Sequence, residues 1–388
     1  MKKAIILLAM LAGMHIAGAQ PCLPEGIFFS TQQQINAFRT NYPGCTQILG
    51  DVTFSGFNIV SLEPLRDIVS IGGSLNIECN EILESLEGLR NLASVGGNLY
   101  LAGNLSLAGL SGLGNLTNLG MDLQCTNNPA LVNLAGLEGI MHIPGKLWID
   151  DNDGLVSLEG LDSLVTVGSC VRIFSNDLLA TLHGLENLQS VGFNLAIGGL
   201  GHLGSLGNPS LVSLAALGNL TTVGGFVEVS YNDALPTLAG LDNIAAGSIT
   251  ELRITYNDTL SECEVASICD FLAGPSAVLD IHDNAVGCNS LAEVTEACLL
   301  VSGGEKEILP DVSVWPNPAG HKVSVTVPQE FAGGRITILD PLGRVWRQVS
   351  AEQSVTEVDL SGFKPGCYSL RISSGKAGIV KPLVVVKQ

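Results

Sequence analysis

Charge is what this 388-residue chain has least of: only 14% of its residues are Asp, Glu, Lys or Arg, and only 5% are aromatic. With 46% apolar residues beside that low charge density, the chain is not of the disordered class, which has the opposite balance. Positive charge is scarcest of all. Residues 1–300 hold 8 Lys or Arg against 29 Asp or Glu, while residues 301–388 hold 10 against 8. Without Lys2 and Lys3 the first block stands near −23, a surface that repels phosphates and excludes nucleic acid as a partner. Long apolar runs are missing too. The one candidate, "AIILLAMLAGM" after Lys2 and Lys3, is too short to span a bilayer. It reads as the apolar core of an export signal with Ala17-Gly18-Ala19 as its cleavage site. The expectation is a signal peptide over residues 1–19, a mature chain from Gln20, no transmembrane span, and an oxidising extracytoplasmic location where disulfides persist.

Catalytic motifs are absent as well. No GxSxG, HExxH or phosphate-loop pattern occurs. Asp150, Asp151 and Asp153 in "IDDNDG" form the one acid cluster of note. A catalytic carboxylate pair needs a separation of about 5–9 Å and two different environments, and three crowded acids read better as a solvated corner. An EF-hand fails too, since Gly154 in sixth place would put Ile149 first and Gly160 twelfth. The histidines (15, 142, 183, 202, 282 and 321) offer no organised base for a cysteine nucleophile. The expectation is a protein that is not an enzyme and has no cofactor and no metal. The alternatives are a β-helix carbohydrate-active enzyme (lyase or glycosidase) and a passive architectural surface protein.

What the chain has in excess is glycine, 46 residues of it, and repetition. Leu75-x-Ile77, Leu99-x-Leu101, Leu123-x-Cys125, Leu147-x-Ile149, Val171-x-Ile173 and Leu195-x-Ile197 recur every 24 residues. Val227-x-Val229 follows after a 32-residue step, then Leu252-x-Ile254 and Leu279-x-Ile281, with Val52-x-Phe54 ahead of them all. Alternation of this kind means a strand with one face inward. A second series, such as Leu86, Leu89, Leu92 and Val95, points a side chain inward every third residue. Gly88, Gly112, Gly136, Gly160 and Gly184 interrupt it, so it is a poor helix and reads as extended or tightly turned chain. One unit cannot bury its apolar side alone, but stacked units can. The fold class expected is all-β: a parallel β-solenoid of leucine-rich rungs with short capping helices. Asn80, Asn104, Asn128, Asn152, Asn176, Asn232, Asn257 and Asn284 follow the strands at matching places, where a short amide suits a sharp corner and satisfies backbone groups.

The open ends of a solenoid need covers. "STQQQINAFRTNYPGC" predicts a helix over about 31–41 with Ser30 as N-cap, bracketed by Cys22 and Cys45, which are expected to bridge. Two short helices carrying Cys263, Cys269, Cys288 and Cys298 are predicted at the other end, with three pairings open. Cys79 and Cys125 lie two rungs apart and are too distant to bridge, and Cys125 points inward. Cys170, one residue before an inward Val171, is expected to face out, and Cys367 falls in the tail. On the outward side of the strands, Tyr100, Trp148, Arg172 and Phe174 fall within a few rungs, in a chain with three Trp. Flat aromatics beside an Arg can stack on a sugar or anchor a peptide, so these four are the ligand-binding candidates.

"GGSLNIECN", "GGNLYLAGN" and "GGFVEVSYN", each followed by its Leu series, resemble the receptor L-domain family, the leucine-rich right-handed β-helices of growth-factor and insulin-type receptors. The paired Gly before the strand and the lack of a helical half separate this pattern from ordinary leucine-rich repeats. The resemblance implies a right-handed parallel β-solenoid and a binding module, though no kinase accompanies it. After a linker-like 301–311, short alternating strands with Gly, Pro and Asp turns predict an Ig-like β-sandwich over 312–388. Trp315-Pro316-Asn317-Pro318, Leu342-Gly343-Arg344 and Gly366-Cys367-Tyr368 are similar to the C-terminal sorting domain of the type IX secretion system of Bacteroidetes. That resemblance implies the type IX machinery as a partner, and release from the cell or attachment to the outer-membrane surface of a Gram-negative bacterium. The chain is thus organised as a signal peptide (1–19), a helical cap (20–45), an L-domain-like solenoid with its C-terminal cap (46–300), a linker (301–311) and a sorting domain (312–388). The function expected is cell-surface or secreted binding and adhesion, with an extracellular glycan or protein as ligand.

Overall fold

The computed structural model describes residues 20–199, 207–274, 278–301, 312–327, 333–340, 344–351, 355–374 and 377–386. Residues 1–19, where a signal peptide is expected, most of the expected linker and Gly343 lie outside the described residues. The chain divides into two compact units, residues 1–301 and 302–388.

The first unit is built on an eleven-stranded sheet running from Ile27–Phe29 through Val52–Phe54 and each repeat strand to Val278–Asn284. Every pairing is parallel, and the repeat stays in step: Leu75 pairs with Leu99, Leu123 with Leu99 and Leu147, and Val171 with Leu147 and Leu195. Even the 32-residue step keeps register, with Leu195 opposite Val227. The inward residues of these strands and the Leu series together line one continuous core, most of it fully buried. A fully buried Leu contributes roughly 1.5–3 kcal/mol relative to an exposed one, so the repeat is its own driving force.

A second ladder of two-residue strands starts at Pro21–Cys22 and runs through Asn118–Leu119, then resumes as a separate sheet from His142–Ile143 to Thr222–Val223. The cause of the break is chemical. In the flanking rungs the Gly that follows the short strand donates its N–H back one rung: Gly96 to Ile71, Gly120 to Val95, Gly168 to Ile143. In the interrupted rung that position is Pro144, which has no N–H to give.

The Leu series adopts two turn forms, and a single residue selects between them. Glu63–Leu65, Glu87–Leu89, Ser111–Leu113 and Ala215–Leu217 are 3-10 turns. Where an acid stands two residues after the Gly, the turn opens. Gly136, Gly160, Gly184 and Gly240 take φ between 109° and 117°, and their N–H groups donate to Glu138, Asp162, Glu186 and Asp242. At Gly112 the constraint is space: a Cβ would meet the Leu86 carbonyl oxygen, which leaves no room for any side chain.

The corner after each strand is held by asparagine. Asn80 Nδ2 donates to Asn104 Oδ1 at 3.0 Å, Asn104 to Asn128 at 3.0 Å, Asn128 to Asn152 at 3.2 Å and Asn152 to Asn176 at 3.3 Å. The same amides donate to strand carbonyls of the preceding rung, as Asn152 does to Cys125 O at 2.9 Å. Each Oδ1 also accepts a backbone N–H, as Asn152 Oδ1 does from Asn128 N. Asn208 carries the ladder across the 32-residue step, bonding both Asn176 and Asn232. Periodicity alone missed it, although "GNPSL" repeats the "NNPAL" of an earlier rung.

The caps depart from expectation in detail. The N-terminal cap is two short helices, Gln32–Asn36 and Phe38–Asn41, and its N-cap is Thr31, not Ser30. Gln34 explains the choice. Its backbone N–H bonds Thr31 Oγ1, while its side-chain oxygen accepts the N–H groups of Thr31 and Ser30, a capping box. The cap seats Ile35 and Phe38 over the stacked Phe29 and Phe54 rings, 5.1 Å apart. Cys22–Cys45 closes this end, and Cys263–Cys288 and Cys269–Cys298 staple the helices Ala266–Leu272 and Leu291–Val301 at the other. Loops of 23 to 29 residues correspond to roughly 3 kcal/mol each in the chain-entropy picture. Cys170, expected outside, is buried, in the column where Asn194 is also buried and bonds the next rung. Cys125 is buried, and desolvation pushes its thiol up to about 12. Cys79 is exposed and unbridged.

The second unit has a three-stranded antiparallel sheet (Ser313–Trp315, Lys322–Thr326, Val355–Asp359) and a four-stranded one (Val345–Ala351, Gly334–Leu339, Gly366–Ser374, Ala377–Val385). Both contribute to one core that includes Val323, Val325, Val358, Ile336, Ile338, Leu370 and Leu383, as in a sandwich.

The ladder yields a direct test. Asn152→Ala orphans several buried backbone groups at roughly 1–3 kcal/mol each and is expected to lower stability by about 3 kcal/mol or more in urea unfolding. Asn115→Ala removes only an exposed bond to Arg90 O and is expected to cost under about 1 kcal/mol.

Candidate binding face

Because the repeat strands run in step, their outward side chains form straight rows. One row places Tyr100, Gln124, Trp148, Arg172 and Ala196 side by side, and the next places Ala102, Thr126, Asp150 and Phe174. Trp148 is the centre. The Arg172 guanidinium lies over its ring, 5.2 Å from the centroid, a contact worth about 0.5–1 kcal/mol at a partly open site. Phe174 meets the same ring edge-on at 5.8 Å. Phe174 does not stand out as an exposed platform, as the outward reading expected: it is only 9% exposed. The larger Trp148 ring packs against it. Tyr100 sits two rungs from Trp148, with Gln124 between them. The four candidates therefore divide into a contacting trio and an outlying Tyr100.

Asp150 belongs to this face and not to a solvated corner. Burial pushes its carboxyl up to about 6, and Asp151 adds to the rise. Thr126 and Trp148 pull the other way, but Oδ1 is buried and reaches hydrogen-bond geometry with no described partner. Asp151 instead occupies the left-handed corner at φ 54° and is exposed. The Tyr100 phenol is raised by burial, with Glu78 and Asp150 adding to it. The face thus offers a half-buried indole, a guanidinium, an uncommonly basic carboxylate and a phenol, set among the smaller Ala102, Thr126 and Ala196.

Two groupings escaped sequence reasoning. Arg253 lies over Phe226 at 4.7 Å and bonds Glu251 at 2.7 Å, with the buried Glu228 3.8 Å away. Tyr231 and Tyr256 stack at 4.7 Å, with His282 edge-on to Tyr256 at 5.2 Å. Both tyrosines have positive φ, an uncommon state for a bulky side chain. Their signal was the position just before the ladder Asn, which a scan of strand positions alone passes over.

In the second unit the motif residues hold structure. Asn317 Oδ1 accepts the Val384 N–H at 2.8 Å, and Ala319 exchanges backbone bonds with Val384 and Val386, so this segment pins the last strand. Arg344 bonds the buried Asp340 at 2.8 Å, and Trp346 Nε1 reaches the same carboxylate at 3.2 Å. Tyr368, two residues after Gly366, donates to Lys364 O and packs against Phe363 and Trp346. Trp315 is exposed; Pro316 and Pro318 follow cis peptide bonds.

No curated protein matches this chain. Among the described residues no helix is long and apolar enough to cross a membrane. Residues 313–386 match the family described as the secretion system C-terminal sorting domain. The tail is therefore a type IX secretion C-terminal sorting domain, which implies engagement of that machinery and delivery to the cell surface or beyond it in Bacteroidetes.

Proposed function

We propose that the first unit is an exported, receptor L-domain-like binding module that recognises an extracellular glycan or protein on the outer face of its long sheet. The observation that carries this reading is the cluster of Trp148, Arg172 and Asp150 on one outer face, edged by the smaller Ala102, Thr126 and Ala196. A desolvated carboxylate beside aromatic rings is an unfavourable surface for a protein with no ligand. A shallow platform of this kind suits a sugar ring or a peptide side chain. The sorting domain supports a place of work outside the cell.

A second reading, a carbohydrate-active enzyme, is favoured by one feature: a carboxyl near 6 is suited to general acid chemistry. A glycan array run beside a reducing-sugar assay separates the two. Retention without cleavage, weakened about tenfold or more by Trp148→Ala with folding intact, is the expected result. Cleavage lost in Asp150→Asn would establish the enzyme, and no retention of any glycan or surface protein would leave an architectural role.

Two further outcomes follow from the same residues. Asp150 has a carboxyl raised in the folded state above the ordinary ~3.9, so the folded chain holds its proton more tightly than the unfolded one. Stability is therefore lost as pH rises from about 4 through about 6. Asp150→Asn is expected to be more stable than the parent at pH 7.5 by about 1 kcal/mol after solvent screening, and equal to it below about pH 4 in thermal unfolding. Removal of residues 302–388 is expected to leave the protein inside the cell envelope, as fractionation would show; surface display without them would sink the export assignment.

A further inference from the structure

The open Gly-x-acid turns occur in three successive rungs, placing Glu138, Asp162 and Glu186 in one column on the Leu-series side. Only between the last two does an imidazole join them. His183 stands immediately before Gly184, at the position that Glu159 holds one rung earlier. We infer that Asp162, His183 and Glu186 form a binding site for a divalent transition-metal ion of the zinc class.

The donor atoms of these three side chains all lie within 4.8 Å of one another. Each carboxylate is anchored through one oxygen: Gly160 N–H donates to Asp162 Oδ2 at 2.8 Å, and Gly184 N–H to Glu186 Oε2 at 2.8 Å. Asp162 Oδ1 is then turned to the cluster, and Glu186 Oε1 is shared with the imidazole, whose contact an ion would replace. Outer hydrogen bonds of this kind orient ligands and strengthen a metal site. His183 Nδ1 already contacts Glu186 Oε1 at 2.7 Å. The charges acting on His183 come from Glu186, Asp162 and Glu159, all of one sign, and a dication would neutralise that excess.

The imidazole sets the ion class. Calcium and magnesium take oxygen donors, whereas zinc accepts one imidazole and two carboxylates with water in a fourth place. It also separates this cluster from the acidic corner of Asp151 and Asp153 and from the Asp233–Asp258 pair, which hold carboxylates only and carry no such assignment.

The test uses the full mature chain, freed of metal by a chelator and titrated with Zn2+ alone in a calorimeter, with Ca2+ as a parallel titrant. The expected result is one Zn2+ per chain, unmatched by Ca2+. Affinity should fall about tenfold or more in both His183→Ala and His183→Gln and persist in His142→Ala, an exposed histidine elsewhere on the solenoid. His183 is itself exposed, so its variants should fold, and unchanged circular dichroism checks this. No stoichiometric Zn2+ uptake, or uptake that both His183 variants retain, overturns the assignment.

Discussion

A parallel coil must turn sharply after every strand, and each turn strips backbone groups of their partners in a place water does not reach. The asparagine ladder answers that constraint, and the rest of the solenoid depends on it. One side chain accepts the N–H of the Asn one rung before, donates to a strand carbonyl of that rung, and donates again to the next amide. Since a buried unsatisfied polar group costs far more than a satisfied one contributes, the ladder makes one rung spacing strongly preferred. It also holds across the 32-residue step, where Asn208 takes the place in line that the inserted residues would otherwise have vacated.

Uniform rung spacing is what arranges the outer face. With the strands in step, residues 24 apart become lateral neighbours, and Trp148 meets both Arg172 and Phe174 of the following rung. The same regularity brings Asp162 beside His183 on the opposite series of turns. Small local exceptions write the variation: Pro144 splits the minor sheet because it lacks an N–H, and an acid two residues beyond a Gly opens a turn that is otherwise 3-10. Rigid spacing with free choice of outward residue is what the proposed recognition role would draw on, and the sorting domain implies delivery to the cell surface or beyond it.

The periodic spacing determined much of this protein without coordinates: a stacked all-β architecture, the inward set and the asparagine column were legible as residues recurring at fixed intervals, the capping cysteines from their places beside the predicted end helices, and the secretion tail from its motifs. Burial was less legible. Phe174 and Cys170 occupy positions that alternation assigns to the outside, yet both are buried, Phe174 with the Trp148 ring of the preceding rung packed edge-on against it. The pairing of Cys263 with Cys288 and of Cys269 with Cys298, the desolvated state of Asp150 and the joining of His183 to two carboxylates were decided only in three dimensions. Period and alternation are properties of one strand and survive in a linear reading. Exposure, acidity and side-chain convergence depend on the size and tilt of residues a full rung away, and only the stacked coils bring those within reach.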